Sequence, residues 1–295
     1  MFRQSSKVQS VNATGFAHPN LSVSKIQKRG LMMKDFVHWG VVIFFSAILA
    51  ICPSPKGFAQ NIPQAYIVLG ESTDLGTGAT LPENAWASKF HEFLESLFFP
   101  SPIDLRNYSV FGATMGDIRR DQLADGLSDI ASFNSVVLSI GGGGNDLSNF
   151  IRSPQGVTCR MVNIQCFARL NALLNNVEVL LDQMVRRLRA AAGPNDVILL
   201  RTEFNPFLKQ GCDNPPGISQ LANLALEGSN IVPFLTSGLN DRIRDVAARY
   251  DAKVIELFME FAENPNELVA ADCFHANDAG HDVIFEAAKA AFYEQ

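Results

Sequence analysis

The sequence predicts an α/β domain built on a parallel sheet that helices cover on both faces. Two observations predict it. Short, continuous apolar runs ending in glycine or polar residues alternate with longer segments of helical hydrophobic spacing. Continuous rather than alternating apolar runs are the mark of strands buried on both faces. The composition agrees: 47% of the 295 residues are apolar and 18% are charged, too apolar for disorder. The 21 Gly and 14 Pro are too few for a collagen-like or low-complexity chain.

Ala65–Leu69 reads as the first buried strand, stopped by Gly70. Glu83–Phe99 has helical spacing, with Trp86, Phe90, Phe93, Leu94 and Leu97 on one face. Asp104–Val110 is a second strand, Asp117–Asp129 a helix with a polar face, and Ser135–Ile140 a third strand stopped by four glycines. Phe167–Ala192 is a long helix closed by Gly193-Pro194. Val197–Leu200 is strand-like, Asn240–Tyr250 helical, Lys253–Leu257 strand-like, and Gly280–Tyr293 a final amphipathic helix. No repeat and no long linker divides this stretch, so residues 60–295 are expected to form one domain with a sizeable core.

Residues 1–59 differ in character. Phe36 to Pro55 contains no Asp, Glu, Lys or Arg, and Val37–Cys52 is mostly apolar. Lys34 precedes this run, Pro53 and Pro55 end it, and Gly57-Phe58-Ala59 places small residues at −3 and −1 of a cut after Ala59. This is a secretory signal pattern, of conventional length if translation starts at Met32 or Met33. The alternative is an uncleaved anchor, since a membrane span needs roughly 20 apolar residues. Leu49-Ala50-Ile51-Cys52 approximates a lipobox, but Ile51 stands where a small residue belongs. A secreted or periplasmic location is therefore expected.

Charge divides at the same boundary. Of 24 Lys/Arg and 30 Asp/Glu, seven bases and one acid (Asp35) fall in residues 1–59, leaving 17 and 29, a net −12, for the remainder. An acidic body disfavours nucleic acid as a partner. Apart from Cys52, the cysteines are Cys159, Cys166, Cys212 and Cys273. An even number in an exported chain reads as two disulfides. Of three possible pairings the short local loop favours Cys159–Cys166, leaving Cys212–Cys273. No CxxC pair suggests a metal, and none is expected.

In an open parallel sheet the active site lies beyond the carboxyl ends of the strands. Three segments carry suitable chemistry. Gly70-Glu71-Ser72-Thr73-Asp74 presents a serine just after a strand. Gly141-Gly142-Gly143-Gly144-Asn145-Asp146 lets backbone approach a ligand and offers an amide. It is neither a Walker loop nor G-x-G-x-x-G. Asp272-Cys273-Phe274-His275 places a carboxylate three residues before an imidazole, close enough to fix its tautomer. The other histidines of the body, His91 and His281, read as packing or capping residues.

In order and spacing these segments resemble the SGNH, or GDSL-type, hydrolase superfamily. Gly70-Glu71-Ser72 matches its G-D-S block, Gly112 its glycine after the second strand, and Gly143-Gly144-Asn145-Asp146 its G-x-N-D block. Asp272 to His281, with Asn277 and Gly280 in place, matches D-x-x-H-P-N-x-x-G-H. Three features depart from the pattern: Glu71 for Asp, a longer glycine run, and Ala276 for Pro. The resemblance spans residue 65 to the C-terminus and implies a flavodoxin-like three-layer α/β/α sandwich with a five-stranded parallel sheet. It implies hydrolysis of carboxylic esters by nucleophile Ser72, base His275 and orienting Asp272, through an acyl-enzyme and without a cofactor. The oxyanion hole would comprise the N–H groups of Ser72 and Gly112 and the Asn145 side chain. The G-x-S-x-G elbow of α/β-hydrolases is absent.

The expected substrate is a small-molecule or lipid ester, as for a carboxylesterase or lipase. Phe98-Phe99-Pro100 and Phe204-Asn205-Pro206-Phe207 are candidate walls of an acyl pocket. Two alternatives remain: a carbohydrate O-acetylesterase acting on a glycan, and an inactive binding protein on the same scaffold.

Overall fold

Five short strands make the sheet of the computed structural model, which describes residues 62–159, 164–232 and 234–294. The expected leader, residues 1–59, lies outside them. The strands are β1 (Ala65–Leu69), β2 (Asp104–Asn107), β3 (Val136–Gly141), β4 (Val197–Arg201) and β5 (Lys253–Ile255). All pair in parallel, in the order β2-β1-β3-β4-β5. β1 feeds β2 on one side and β3 returns on the other. The order therefore reverses between β1 and β3, the switch point where crevices open in such sheets.

Side-chain alternation sorts the strands into two cores. Ile67, Leu69, Leu138, Ile140, Ile198 and Leu200 join one buried cluster. It is covered by α2 (Leu123–Ser132), α4 (Ile164–Ala191), α5 (Ile218–Glu227) and α6 (Leu239–Arg249). Tyr66, Val68, Val137, Leu199 and Ile255 join the other. There α1 (Trp86–Leu97) and α7 (Asp278–Tyr293) pack with the short helix Phe258–Glu263. The result is the three-layer sandwich expected from the sequence. Trp86, Phe90 and Leu94 of α1 are fully buried, each a position where truncation to Ala costs about 2–5 kcal/mol. No helix among the described residues is long and apolar enough to cross a membrane.

The elements differ from the sequence reading mainly at their ends. The first helix starts at Trp86 because Pro82–Asn84 forms a separate 3-10 turn. The expected helix Asp117–Asp129 is interrupted by a π-turn at Ile118–Gln122, and its regular part is Leu123–Ser132. Inside that turn Gln122 is spent on the first strand loop: its Nε2 donates to the Gly70 carbonyl (2.9 Å) and its Oε1 accepts from the Gly70 N–H (2.8 Å). α3 (Gly144–Arg152) and α5 were not assigned from the sequence. Both supply walls near the site.

Candidate active site

Four loops after strands and one segment before α7 meet at the carboxyl edge of the sheet. Glu71 leaves β1 in extended conformation, and Ser72–Leu75 forms a single helical turn. Ser72 is only 3% exposed, and its Oγ lies 3.0 Å from His275 Nε2. On the other side of the ring, His275 Nδ1 is 2.5 Å from Asp272 Oδ2. A carboxylate can only accept, so Nδ1 carries the proton and Nε2 is left to accept from the serine hydroxyl. Residues 203 positions apart thus form one hydrogen-bonded chain.

The Asp272–His275 turn is held tightly. Asp272 Oδ1 accepts the backbone N–H groups of Phe274 (2.9 Å) and His275 (3.0 Å). Burial pushes the Asp272 carboxyl up, but the hydrogen bonds from His275 and Phe274 outweigh it and hold the group below its ordinary value. Between the two residues, Cys273 takes a left-handed conformation at φ 62° and is bonded to Cys212. The second pair is Cys159–Cys166, so both follow the pairing favoured from spacing. An antiparallel bridge between Val269 and Ala276 closes the segment, supplying restraint where the expected proline is missing. Gly78 backs it closely: a Cβ there would stand 2.1 Å from the Ala276 carbonyl oxygen.

The donor loops face the serine turn across the switch point. Gly112 adopts φ 76° in a tight turn, and the N–H groups of Ser72 and Gly112 donate to no protein acceptor among the described residues. Asn145 Nδ2 donates to Glu71 Oε2 (2.7 Å) and to the Ala113 carbonyl (3.1 Å). Asp146 Oδ2 accepts the Met115 N–H at 2.8 Å. Asn145 and Asp146 therefore pin the Gly112 loop to the end of β3.

A buried ionic cluster beneath the serine turn was not foreseen. Arg201, at the end of β4, is fully buried and grips Asp74 with two hydrogen bonds, Nε to Oδ1 (3.0 Å) and Nη2 to Oδ2 (3.1 Å). The same Nη2 lies 3.1 Å from Glu203 Oε1 and 3.5 Å from Glu71 Oε1. Three carboxyls thus share one guanidinium. Burial, and then the Glu203 charge, push Glu71 well above the carboxylate range against the pull of Arg201. Burial raises Glu203 too, opposed by Arg201. Two of the four glycines in the run, Gly141 and Gly144, follow from this cluster. A Cβ on Gly141 would meet Asp74 Oδ2 at 2.5 Å and Arg201 Nε at 2.6 Å. On Gly144 it would meet Glu203 Oε2 at 2.8 Å and Glu71 Oε1 at 3.0 Å. The repeated glycine was the sequence signal available, but it does not say what fills the space.

A narrow, partly open cleft lies beside Ser72. Its walls include Leu147, Ile151, Phe204, Phe207, Leu226 and Phe274, with Glu71 and Glu203 also lining it. Phe204, Pro206 and Phe207 therefore take the wall position expected of them, whereas Asn205 is tied to Asn223 and the Ser219 carbonyl. The expectation for Phe98-Phe99-Pro100 is overturned. These residues follow α1 and precede β2, at the opposite edge of the sheet, where Phe99 is 83% exposed. His281 is fully buried, its Nδ1 accepting from the Trp86 N–H and its Nε2 donating to the Thr77 carbonyl. His91 bonds the Ile103 carbonyl. Both are structural, as read. Among the described residues no group of three or more His, Cys, Asp or Glu is arranged to hold a metal.

Comparisons with known proteins bear on the family and the fold. Residues 68–283 match the GDSL-like lipase/acylhydrolase family. No curated protein sequence matches the chain. Among solved structures, a lipase from a goat rumen metagenome, Lip_vut3, is 20% identical with a TM-score of 0.59, over 78% of this chain and 97% of its own. An extracellular lipase from Streptomyces rimosus is 16% identical with a TM-score of 0.51, over 77% and 99%. The acetylxylan esterase Axe2 from Geobacillus stearothermophilus is 17% identical with a TM-score of 0.51, over 79% and 95%. At these identities the likeness to the solved structures is one of fold.

Proposed function

The chain belongs to the GDSL-like lipase/acylhydrolase family, hydrolases acting on ester bonds, and from that premise we propose that it is an exported serine esterase working through an acyl-enzyme. The observation that carries this reading is the hydrogen-bonded chain Ser72 Oγ–His275–Asp272, at 3.0 and 2.5 Å. Ser72 attacks the ester carbonyl while His275 Nε2 takes its proton and then delivers it to the leaving alcohol. Asp272 fixes the ring and stabilises the imidazolium. The oxyanion is received by the free N–H groups of Ser72 and Gly112, with Asn145 Nδ2 as third donor. Water, deprotonated by His275, then releases the acyl group.

The cleft supports an acyl side chain longer than acetyl, because its walls are largely apolar and it begins at the nucleophile. This favours a carboxylesterase or lipase over a glycan O-acetylesterase. The charge-free stretch in residues 36–55 and the two disulfides support export, with residues 1–59 as leader and 60–295 as the hydrolase domain.

The test is hydrolysis of p-nitrophenyl esters from acetate to palmitate, with Ser72→Ala, His275→Ala and Asn145→Ala alongside. The first two should nearly abolish turnover, and loss of one oxyanion donor should lower kcat by about 10²–10³. An optimum at acetate, with preference for acetylated glycans, selects the O-acetylesterase. A folded wild type that neither turns over esters nor labels with a fluorophosphonate probe leaves an inactive binding scaffold.

A further inference from the structure

We propose that Glu71 is a positioning residue for the Asn145 amide, holding its NH₂ end in register with the nucleophile; this deepens the ester-hydrolase reading above and rests on it. The two ends of an asparagine side chain are nearly the same shape, but only the nitrogen end can stabilise an oxyanion. Something must select that end. Asn145 Nδ2 lies 2.7 Å from Glu71 Oε2 and 3.1 Å from the Ala113 carbonyl oxygen. The carbonyl is acceptor-only, and Glu71 Oε2 is marked as an accepting oxygen by the Asn145 backbone N–H that also points to it. Together they require NH₂, not the amide oxygen, on this side.

The two bonds are unequal. The amide has two hydrogens, and in the resting site both are used. The shorter bond, to a carboxyl, fixes the amide plane. The longer one, to Ala113, is the one that can be shared with or surrendered to a developing oxyanion. Asn145 can thus donate to the intermediate without losing its orientation.

Glu71 is well built for this task. It precedes Ser72 directly, so any displacement of the serine turn carries it along. It is 4% exposed, and Oε2 also takes the Asn145 backbone N–H at 3.3 Å. Its other oxygen, Oε1, lies 3.5 Å from Arg201 Nη2. The side chain occupies the space beside Gly144, where a Cβ would come within 3.0 Å of Oε1. The longer carboxylate at position 71 and the glycine at 144 therefore fit each other. One carboxyl joins the loop after β1 to the loop after β3 across the switch point.

The experiment is a double-mutant cycle of Glu71→Gln and Asn145→Ala, read by steady-state hydrolysis of a p-nitrophenyl ester, with Glu71→Asp as the conservative variant. Glutamine has the same shape but can turn its own NH₂ toward Asn145, so the end presented is no longer dictated. Glu71→Gln should lower kcat by about 10- to 100-fold, less than outright loss of a donor, with KM changed less than about threefold and an unaltered circular dichroism spectrum. Glu71→Asp, which keeps an acceptor, should retain clearly more activity than Glu71→Gln. In the Asn145→Ala background the Glu71→Gln change should cost less than about twofold, because its target is gone. The proposal is overturned if Glu71→Gln leaves kcat unchanged, or if it costs the same factor with and without Asn145. If Glu71→Gln does not fold, the same comparison made with Glu71→Asp decides it. Failure of the underlying reading looks different: Ser72→Ala would then be as active as wild type, whatever happens at Glu71.

Discussion

Replacing Arg201 by leucine should be among the most destabilising single changes in this protein, and the loss should grow with pH. Arg201 is fully buried and is the guanidinium on which Asp74, Glu71 and Glu203 converge. Leucine removes the two hydrogen bonds to Asp74 and the contact to Glu203 while leaving three buried carboxyls without their shared guanidinium. Breaking a buried pair by removing one partner costs about 3–5 kcal/mol, because the surviving charge is uncompensated. That is a large part of the roughly 5–15 kcal/mol a domain has. For a domain of this size each kcal/mol moves Tm by about 2–4 °C, so the expected fall is roughly 6–20 °C. The pH dependence follows from linkage. Without Arg201 the Glu71 and Glu203 pKa values, already raised by burial, rise further above their unfolded values. The native state then holds protons the unfolded state has lost, and stability declines as pH rises from the carboxylate range toward the folded-state values. Urea denaturation at pH 5 and pH 8 measures this. An Arg201→Leu variant within about 1 kcal/mol of wild type at pH 8 would refute the argument, as would a deficit that shrinks as pH rises.

Three further outcomes are expected. Removing the Cys212–Cys273 disulfide by paired serine substitution should cost about 4 kcal/mol on the chain-entropy model, for a separation of 61 residues. It should also lower kcat, since Cys273 lies between Asp272 and His275; the Cys159–Cys166 pair, with a separation of 7, should cost only about 2–3 kcal/mol, and thermal melts rank the two. Ala222→Phe, at the wall of the cleft beside Ser72, should move the chain-length optimum toward shorter acyl groups at a cost of about 1–3 kcal/mol; an unchanged optimum would mean the acyl chain lies elsewhere. Asp272→Asn should lower turnover by about 10³–10⁴, as expected when the wrong imidazole tautomer is favoured. The Asp272 pKa is depressed in the folded state, so its contribution to stability is present above the ordinary carboxylate pKa and is lost as pH falls through the folded value. The acid limb of the melting-temperature profile should flatten in the Asp272→Asn variant.

Much of the fold could be read from the chain because its signals are local. β1 follows the apolar run Ala65–Leu69 residue for residue, and α7 begins two residues before the stretch with helical spacing. Helix ends were less legible, because they depend on partners distant in sequence: the π-turn at Ile118–Gln122 faces Gly70, 52 residues from Gln122. Phe98-Phe99-Pro100 and Phe204–Phe207 look equally suited to an acyl wall in sequence. Only the direction of the chain decides that the first lies at the far edge of the sheet and the second beside Ser72.

For the site itself, residue type and spacing determined that Ser72, Gly112, Asn145, Asp272 and His275 stand at strand ends or before the last helix, and favoured the two cysteine pairs that the structure contains. They determined it because each motif is short and its chemistry requires particular side chains. The tertiary structure alone decided how those segments are held together. Arg201 and Glu203 come from β4 and the loop after it, 127 or more residues from Asp74 and Glu71, and nothing local marks them as partners. Four glycines announced a close approach, but a missing side chain carries no information about its neighbour. A charge excluded from water must find its counter-charge in three dimensions, and that pairing exists only after the sheet has formed.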